Sequence, residues 1–262
     1  MNDYWPLIVA IGLSLPRTMA AFMMLPAFAS SDLIPGLVRN AFFVSTALIT
    51  MPVILHTGIP IHLNSTQLVT LIAKESLIGL LIGFFYSGIF WVVGSAGNII
   101  DTKVGANTAT IVDPFSGYEE QLAGAFLSRL AIWLFAASGG LIIFLGLLLQ
   151  SYVLWPVTQM LPSLPPSGLS VVIAHFGQMM VMTLMLAAPA LFIFTLVELG
   201  FGLLNRIAPQ LNVQVTGTSI KVFLAVGLLW LTLAGILRFV TDHQMSASAV
   251  LKILRSMLSS GS

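Results

Sequence analysis

Long apolar runs separated by short polar turns constrain this chain more than any other feature. Residues 130–149 are almost continuously apolar, and a run of that length matches the roughly 20 residues that an α-helix needs to cross a bilayer. Backbone groups in hydrocarbon must be hydrogen-bonded within the protein, which a helix achieves within one segment. A membrane β-barrel would instead show short alternating strands. The sequence therefore predicts an all-α membrane protein.

The charge content supports this class and excludes others. Only 7% of the 262 residues are charged and 58% are hydrophobic, whereas roughly a quarter of the residues in a soluble domain are charged. The net charge of +1, without a basic patch, argues against a nucleic-acid partner. The chain has no cysteine, so disulfides and thiolate chemistry are impossible. No basic region precedes the first apolar run, and we therefore expect no cleaved signal peptide.

Six apolar segments are predicted within a single polytopic domain, 1–262. They cover residues 5–29, 41–60, 66–100, 126–155, 171–204 and 218–240. Pro16 and Pro26 are expected to stiffen or kink the first segment. The third segment is too long for one straight crossing, so it should tilt, project from the bilayer, or break near residues 94–97. Residues 30–40 are expected to form a turn, and residues 156–170, with four prolines, a loop.

Several ionisable side chains lie inside apolar sequence. The most conspicuous are Arg17, Lys74, Glu75 and Glu198. A charge near the bilayer centre costs about 2.5–3.5 kcal/mol or more, so each should face other protein, water or the membrane interface. A structural role in assembly and a proton or ion relay both remain possible, and the scattered positions favour the structural role. The predicted set of buried polar or assembly residues also contains Asp101, Lys103, Arg206, Pro209, Gln210 and Asn212.

Gly79 and Gly83 form a GxxxG pattern, and Ser87 extends the row of small residues by one turn. Small residues on one helix face allow a second helix backbone to approach closely. Glycine is also common in membrane helices without such a role. We favour a helix-packing face at these three positions.

Residues 101–122 form the most polar internal stretch. Small and hydroxyl side chains in its first half predict a helix that ends at Asp113–Pro114. Phe115 and Tyr118 then place bulky side chains on a short loop. Such a loop could constrict a pore or simply connect two spans, and composition does not separate these alternatives.

Enzyme signatures are absent from the sequence. It contains no HExxH, GxSxG, Walker A or dinucleotide-binding motif. The four histidines are widely separated, which does not suit a metal site. We therefore predict a protein that is not an enzyme and needs no cofactor.

Residues 203–212, Leu-Leu-Asn-Arg-Ile-Ala-Pro-Gln-Leu-Asn, precede the last apolar segment and are the most specific motif in the chain. With them, the chain resembles the FliR/SctT family, the export-gate subunits of bacterial flagella and type III secretion injectisomes. The supporting residues are Pro26 with 35–39, Lys74 and Glu75 with Gly79 and Gly83, and 97–101 followed by Gly105 and 112–114. Residues 99–101 with Gly105 and Ala106, residues 138–140, and Glu198 are more similar to the injectisome branch.

The resemblance implies a structural and gating subunit within a helical hetero-oligomer of helical hairpins around a pore for unfolded polypeptides. Its expected place is the bacterial inner membrane, in an assembly raised toward the periplasm. Expected partners are two smaller subunits (FliP/SctR-like and FliQ/SctS-like), a FlhB/SctU-like switch protein, the large export-gate protein, exported polypeptides and membrane lipid. ATP hydrolysis and proton coupling would belong to other components.

The resemblance also implies that one loop of this subunit plugs the closed pore. The matching positions are Ile111, Val112, Asp113, Pro114, Phe115, Ser116, Gly117 and Tyr118. Two other functions would each leave a different pattern in the sequence. A small secondary transporter would show two similar halves with broken helices, and an intramembrane enzyme would show clustered catalytic groups. Neither pattern is visible in the sequence.

Overall fold

The computed structural model describes residues 5–29, 33–57, 65–105, 111–112, 119–159, 166–207, 213–243 and 250–255. Within these ranges the chain is helical, apart from turns and one pair of two-residue strands. The elements are α1 (Trp5–Met23), α2 (Pro26–Ala29), α3 (Gly36–Thr57), α4 (Ser65–Val104), β1 (Ile111–Val112), β2 (Glu119–Glu120), α5 (Leu122–Ala137), α6 (Gly140–Leu154), α7 (Pro166–Ile207) and α8 (Val213–His243). The predicted all-α class is confirmed.

Four helices in the described part of the chain are long and apolar enough to cross a membrane. Their spanning portions are Gly36–His56, Thr66–Val104, Gly168–Ile207 and Gly217–Asp242. The α5–α6 pair, which is broken between its helices, raises the number to five if it counts as one span. The sequence predicts six segments, and the first of them lies on α1, whose 19 residues, Trp5–Met23, make it shorter than the four candidate spans.

The segment predicted at 126–155 is two helices, not one. Gly139 separates α5 from α6 with φ of 75°, a left-handed conformation that side chains with a Cβ rarely adopt. The hydroxyl of Tyr86 donates to the carbonyl of Gly140 at 3.0 Å. A hydrogen bond from outside the helix thus reaches the backbone where the break occurs.

Three other boundaries differ from the predictions. Helix α4 runs without a break through residues 94–97 and ends at Val104. Gly105 follows with φ of 79°, so the helix ends well before Asp113–Pro114. Helix α3 begins at Gly36, inside the predicted turn 30–40. The 40 residues of α4 correspond to about 60 Å at about 1.5 Å per residue, which exceeds the roughly 30 Å hydrocarbon core.

The chain divides into two compact units. The first comprises residues 1–88, 135–176 and 244–262. Its described core has Phe22 at the centre, with the rings of Phe28, Phe42 and Phe144 edge-on at 4.9, 5.1 and 4.9 Å. Edge-to-face pairs of this kind are favoured by the charge distribution of aromatic rings.

The first part of α4 contacts α1 through its glycines. A Cβ atom added at Gly79 would collide with the carbonyl oxygen of Arg17. One added at Gly83 would lie 2.6 Å from the carbonyl oxygen of Ala21 and from the Cβ of Met24. Only glycine allows the two backbones to approach this closely.

The second unit comprises residues 89–134 and 177–243. Its apolar core combines the later part of α4 with α7 and α8. The buried members are Ala96, Ile100, Val104, Ala187, Ala190, Phe194 and Ala225. Here too glycines bring helices together, because a Cβ at Gly97 would lie 2.6 Å from the Cα of Gly124 on α5.

Replacing Gly83 with alanine should destabilise the protein, because the new methyl group would lie 2.6 Å from both the backbone carbonyl oxygen of Ala21 and the Cβ of Met24. We expect a loss of about 1–3 kcal/mol, measured as a lower melting temperature in mild detergent. Gly146→Ala on α6 is the matched control, since a Cβ there meets nothing within 4 Å. Equal melting temperatures for the two variants would contradict close packing of α4 against α1.

Candidate functional site: buried ion pairs and the base of the 105–121 segment

Arg17 lies at the centre of a cluster of polar groups in the first unit. Its side chain is fully buried. The Nε donates to Oε2 of Glu75 at 2.6 Å, one terminal nitrogen to Oγ of Ser151 at 3.1 Å, and the other to the carbonyl of Trp155 at 2.9 Å. The guanidinium carbon also lies 4.0 Å from the centre of the Tyr152 ring, within range of a cation–π interaction.

Lys74 completes the cluster. Its Nζ lies 2.8 Å from Oε1 of Glu75, so each oxygen of this buried carboxylate faces one cation. The same ammonium donates to the carbonyls of Pro156, Val157 and Gln159 at 3.3, 3.1 and 2.9 Å. The cluster thus joins α1, α4 and the segment that follows α6, with almost no access to solvent.

Asp101 is a buried charged residue of the second unit. It is buried near the end of α4, and its Oδ2 accepts hydrogen bonds from the backbone amides of Ala123 and Gly124 at 2.8 and 3.0 Å. These amides belong to the first turn of α5, where no intrahelical acceptor is available. A carboxylate there also interacts favourably with the positive end of the helix dipole. Asp101 therefore caps α5 from another helix.

The segment between these two helices closes on itself as a short antiparallel ladder. Ile111 pairs with Glu120, and Val112 pairs with Glu119. Of the predicted plug residues, Ile111 and Val112 thus form β1. The other six, Asp113, Pro114, Phe115, Ser116, Gly117 and Tyr118, lie outside the described residues.

Glu198 forms a second ion cluster, which is partly exposed. Its Oε1 accepts a hydrogen bond from Nζ of Lys221 at 2.8 Å, and its Oε2 lies 3.5 Å from Nζ of Lys103. The side chains of Lys103 and Glu198 are 43% and 39% exposed. This arrangement differs from the predicted burial, and it links α4, α7 and α8. Exposed pairs of this kind contribute little stability, about 0–1 kcal/mol each.

Of the remaining predicted site residues, the structure describes Ser87 and Arg206. Ser87 is fully buried, and its Oγ has no hydrogen-bond partner among the described residues. Arg206 is exposed in the last turn of α7. Pro209, Gln210 and Asn212 lie outside the described residues. The assembly role of this set stays a prediction.

Several residues that complete these clusters were not among the predicted site residues. Ser151, Tyr152 and Trp155 gave no sequence signal, since hydroxyl and aromatic residues are ordinary near helix ends. Lys221 could have been found, because it is an ionisable residue inside the predicted segment 218–240. Within the described ranges, no group of three or more histidine, aspartate or glutamate side chains could hold a metal ion.

Removing the carboxylate of Asp101 should loosen the start of α5. Asp101→Ala leaves two backbone amides without their acceptor, which should cost about 1–3 kcal/mol. Asp101→Asn keeps one acceptor oxygen and should cost less. Thermal unfolding in detergent would measure both, with Asp242→Ala at the exposed end of α8 as the control. If Asp101→Ala unfolds at the parental temperature, Asp101 does not cap α5.

Comparison with known proteins identifies the family. The chain matches the family described as "Bacterial export proteins, family 1" over residues 8–247. It is 36% identical over 209 residues to the Yop proteins translocation protein T of Yersinia pestis, covering 80% of each chain.

Two further relatives show how widely this similarity extends. The chain is 31% identical over 221 residues to the surface presentation of antigens protein SpaR of Salmonella typhimurium, covering 84% of this chain and 81% of the relative. It is 29% identical over 224 residues to the flagellar biosynthetic protein FliR of Bacillus subtilis, covering 85% of both chains. With its several apolar helices, the chain is therefore a multi-pass membrane protein that belongs to the FliR/SctT family of bacterial export proteins.

Proposed function

We propose that this chain is a structural and gating subunit of a type III protein-export gate, and that residues 111–118 plug its closed pore. The β1–β2 pairing carries the proposal. Because Val112 pairs with Glu119, the two ends of the six-residue segment between them lie side by side. A loop closed at its base by backbone hydrogen bonds is suited to present bulky side chains such as Phe115 and Tyr118.

The base of this loop is joined to the helices on both sides. Gly105 turns the chain out of α4, and Asp101, one turn earlier, holds the first turn of α5. The Glu198 cluster ties the same end of α4 to α7 and α8 through Lys103. These contacts fix where the segment leaves and rejoins the helices, which a plug needs if it is to close one pore reproducibly.

The apolar surfaces of α7 and α8 support a place in a larger assembly. Only 22% of the most apolar part of α7 and 11% of that of α8 are buried by the chain itself. The surface that remains is available to lipid and to other subunits. We propose the two smaller export-gate proteins, the switch protein and the large export-gate protein as these neighbours, in the bacterial inner membrane and raised toward the periplasm.

The injectisome branch is the version of this proposal that we favour. The Yop translocation relative is 36% identical to this chain, whereas relatives named for antigen presentation and for a secretion apparatus are 28–31% identical, which overlaps two flagellar relatives at 29% and 30%. The difference is small, and a flagellar export-gate subunit is the alternative. In either branch the chain acts by forming a passage, without catalysis or a cofactor.

The double substitution Phe115→Gly and Tyr118→Gly should make the resting gate leaky to small ions, because it removes the bulk that fills the pore. The chain would be co-expressed with its chromosomal neighbours, and the decay of an imposed membrane potential would be followed. Phe115→Leu with Tyr118→Phe keeps bulky side chains at both positions and should stay tight. Native mass spectrometry would verify that each variant assembles. An assembled glycine variant that is as tight as the parent would refute the plug.

A further inference from the structure

The first helix is poorly suited to stay in a membrane by itself. Helix α1, Trp5–Met23, has 19 residues, toward the short end of the roughly 17–25 that a span uses. Arg17 interrupts this helix with a charge that costs about 2.5–3.5 kcal/mol or more near the bilayer centre. The helix nevertheless contributes fully buried side chains, among them Ala10, Leu13 and Phe22. Something beyond its own apolarity must hold it in place.

Every group that satisfies Arg17 comes from far along the chain. Glu75, Ser151 and Trp155 follow it by 58, 134 and 138 residues. The hydroxyl of Tyr152 also reaches back to α1, where it donates to the carbonyl of Ser14 at 3.1 Å. The charge of α1 is therefore neutralised only when α4 and the end of α6 are already in position.

The charges of the cluster do not cancel. Two cations, Arg17 and Lys74, share the single carboxylate of Glu75, and backbone carbonyls after α6 solvate the surplus positive charge. Loss of the Glu75 charge would leave two buried cations side by side. Removing one member of a buried ion pair is strongly destabilising, whereas replacing both members with apolar groups is often tolerated.

We infer that the Arg17–Glu75–Lys74 cluster is an electrostatic latch that makes the buried position of α1 conditional on α4 and on residues 155–159. The charge of Arg17 disfavours α1 in lipid when its partners are absent. When α4 and residues 155–159 are in place, Glu75 neutralises that charge and holds α1 in its buried position. The dependence on Glu75 exists only because Arg17 is charged. If α1 were held only by the aromatic rings around Phe22 and by close packing on the glycines of α4, its position would not depend on Glu75.

The absence of cysteine in the chain allows a direct test on the full-length protein in membranes. Ala10→Cys places a single thiol at a fully buried position of α1. Its reaction with a membrane-impermeant maleimide would be timed from both faces of the membrane, with total thiol measured in denaturing detergent. In the parent this thiol should be protected.

Adding Glu75→Gln should speed the labelling of this thiol by about tenfold or more, the change that about 1.4 kcal/mol produces. Adding Arg17→Met as well should restore protection, because one cation then remains with its backbone carbonyls. Arg17→Met alone should stay protected. Glu198→Gln is the control, since it removes an ion-paired carboxylate that is partly exposed.

Either of two results would overturn the latch. The thiol could stay protected in Glu75→Gln, or Arg17→Met could fail to restore protection to it. If the Glu75→Gln chain is degraded before labelling, the quantity of chain in the membrane replaces the labelling rate. The double variant must then accumulate to the parental level, and its loss would equally reject the proposal.

Discussion

An arginine inside apolar sequence must find a partner for its charge, and the first unit of this protein is arranged around that requirement. Arg17 receives a carboxylate from α4, and a hydroxyl, a carbonyl and an aromatic face from residues 151–155 at the end of α6. Buried ion pairs add little net stability compared with apolar packing. Their effect is to make other packings of the helices costly. Any packing that separates Arg17 from Glu75 leaves a buried charge without its partner. Stability itself comes from apolar contacts such as those around Phe22.

The three charged sites described above differ in how their charges are satisfied. Arg17 and Lys74 use one carboxylate and the carbonyls beyond α6, Asp101 uses the free amides at the start of α5, and Glu198 uses two lysines near solvent. The first arrangement excludes water, and loss of the Glu75 carboxylate would leave two buried cations without a counter-charge. The last remains open to ions and to other proteins, so salt screens it more strongly.

Much of the fold follows from the sequence, because apolar runs and polar turns report directly on membrane helices. The positions of α3, α4, α7 and α8 agree with the predicted segments to within several residues. The break at Gly139 was not predictable, because glycine is common in uninterrupted membrane helices and only the backbone conformation distinguishes the two cases. Arg17, Lys74 and Glu75 stood out as charges in apolar sequence. Their pairing could not be read from one sequence, since it joins residues up to 138 positions apart.

Helix α4 shows glycines to two different neighbours, α1 at Gly79 and Gly83, and α5 at Gly97. At each position the first side-chain carbon would meet backbone, which cannot move aside. Helix α8, by contrast, turns large side chains such as Phe223 and Trp230 outward. Selection against substitutions should therefore be stronger at some positions of this chain than at others. Among distant relatives, α4 would keep its small residues at fixed intervals. The residues on the outer face of α8 would instead change with the lipid or protein that covers them.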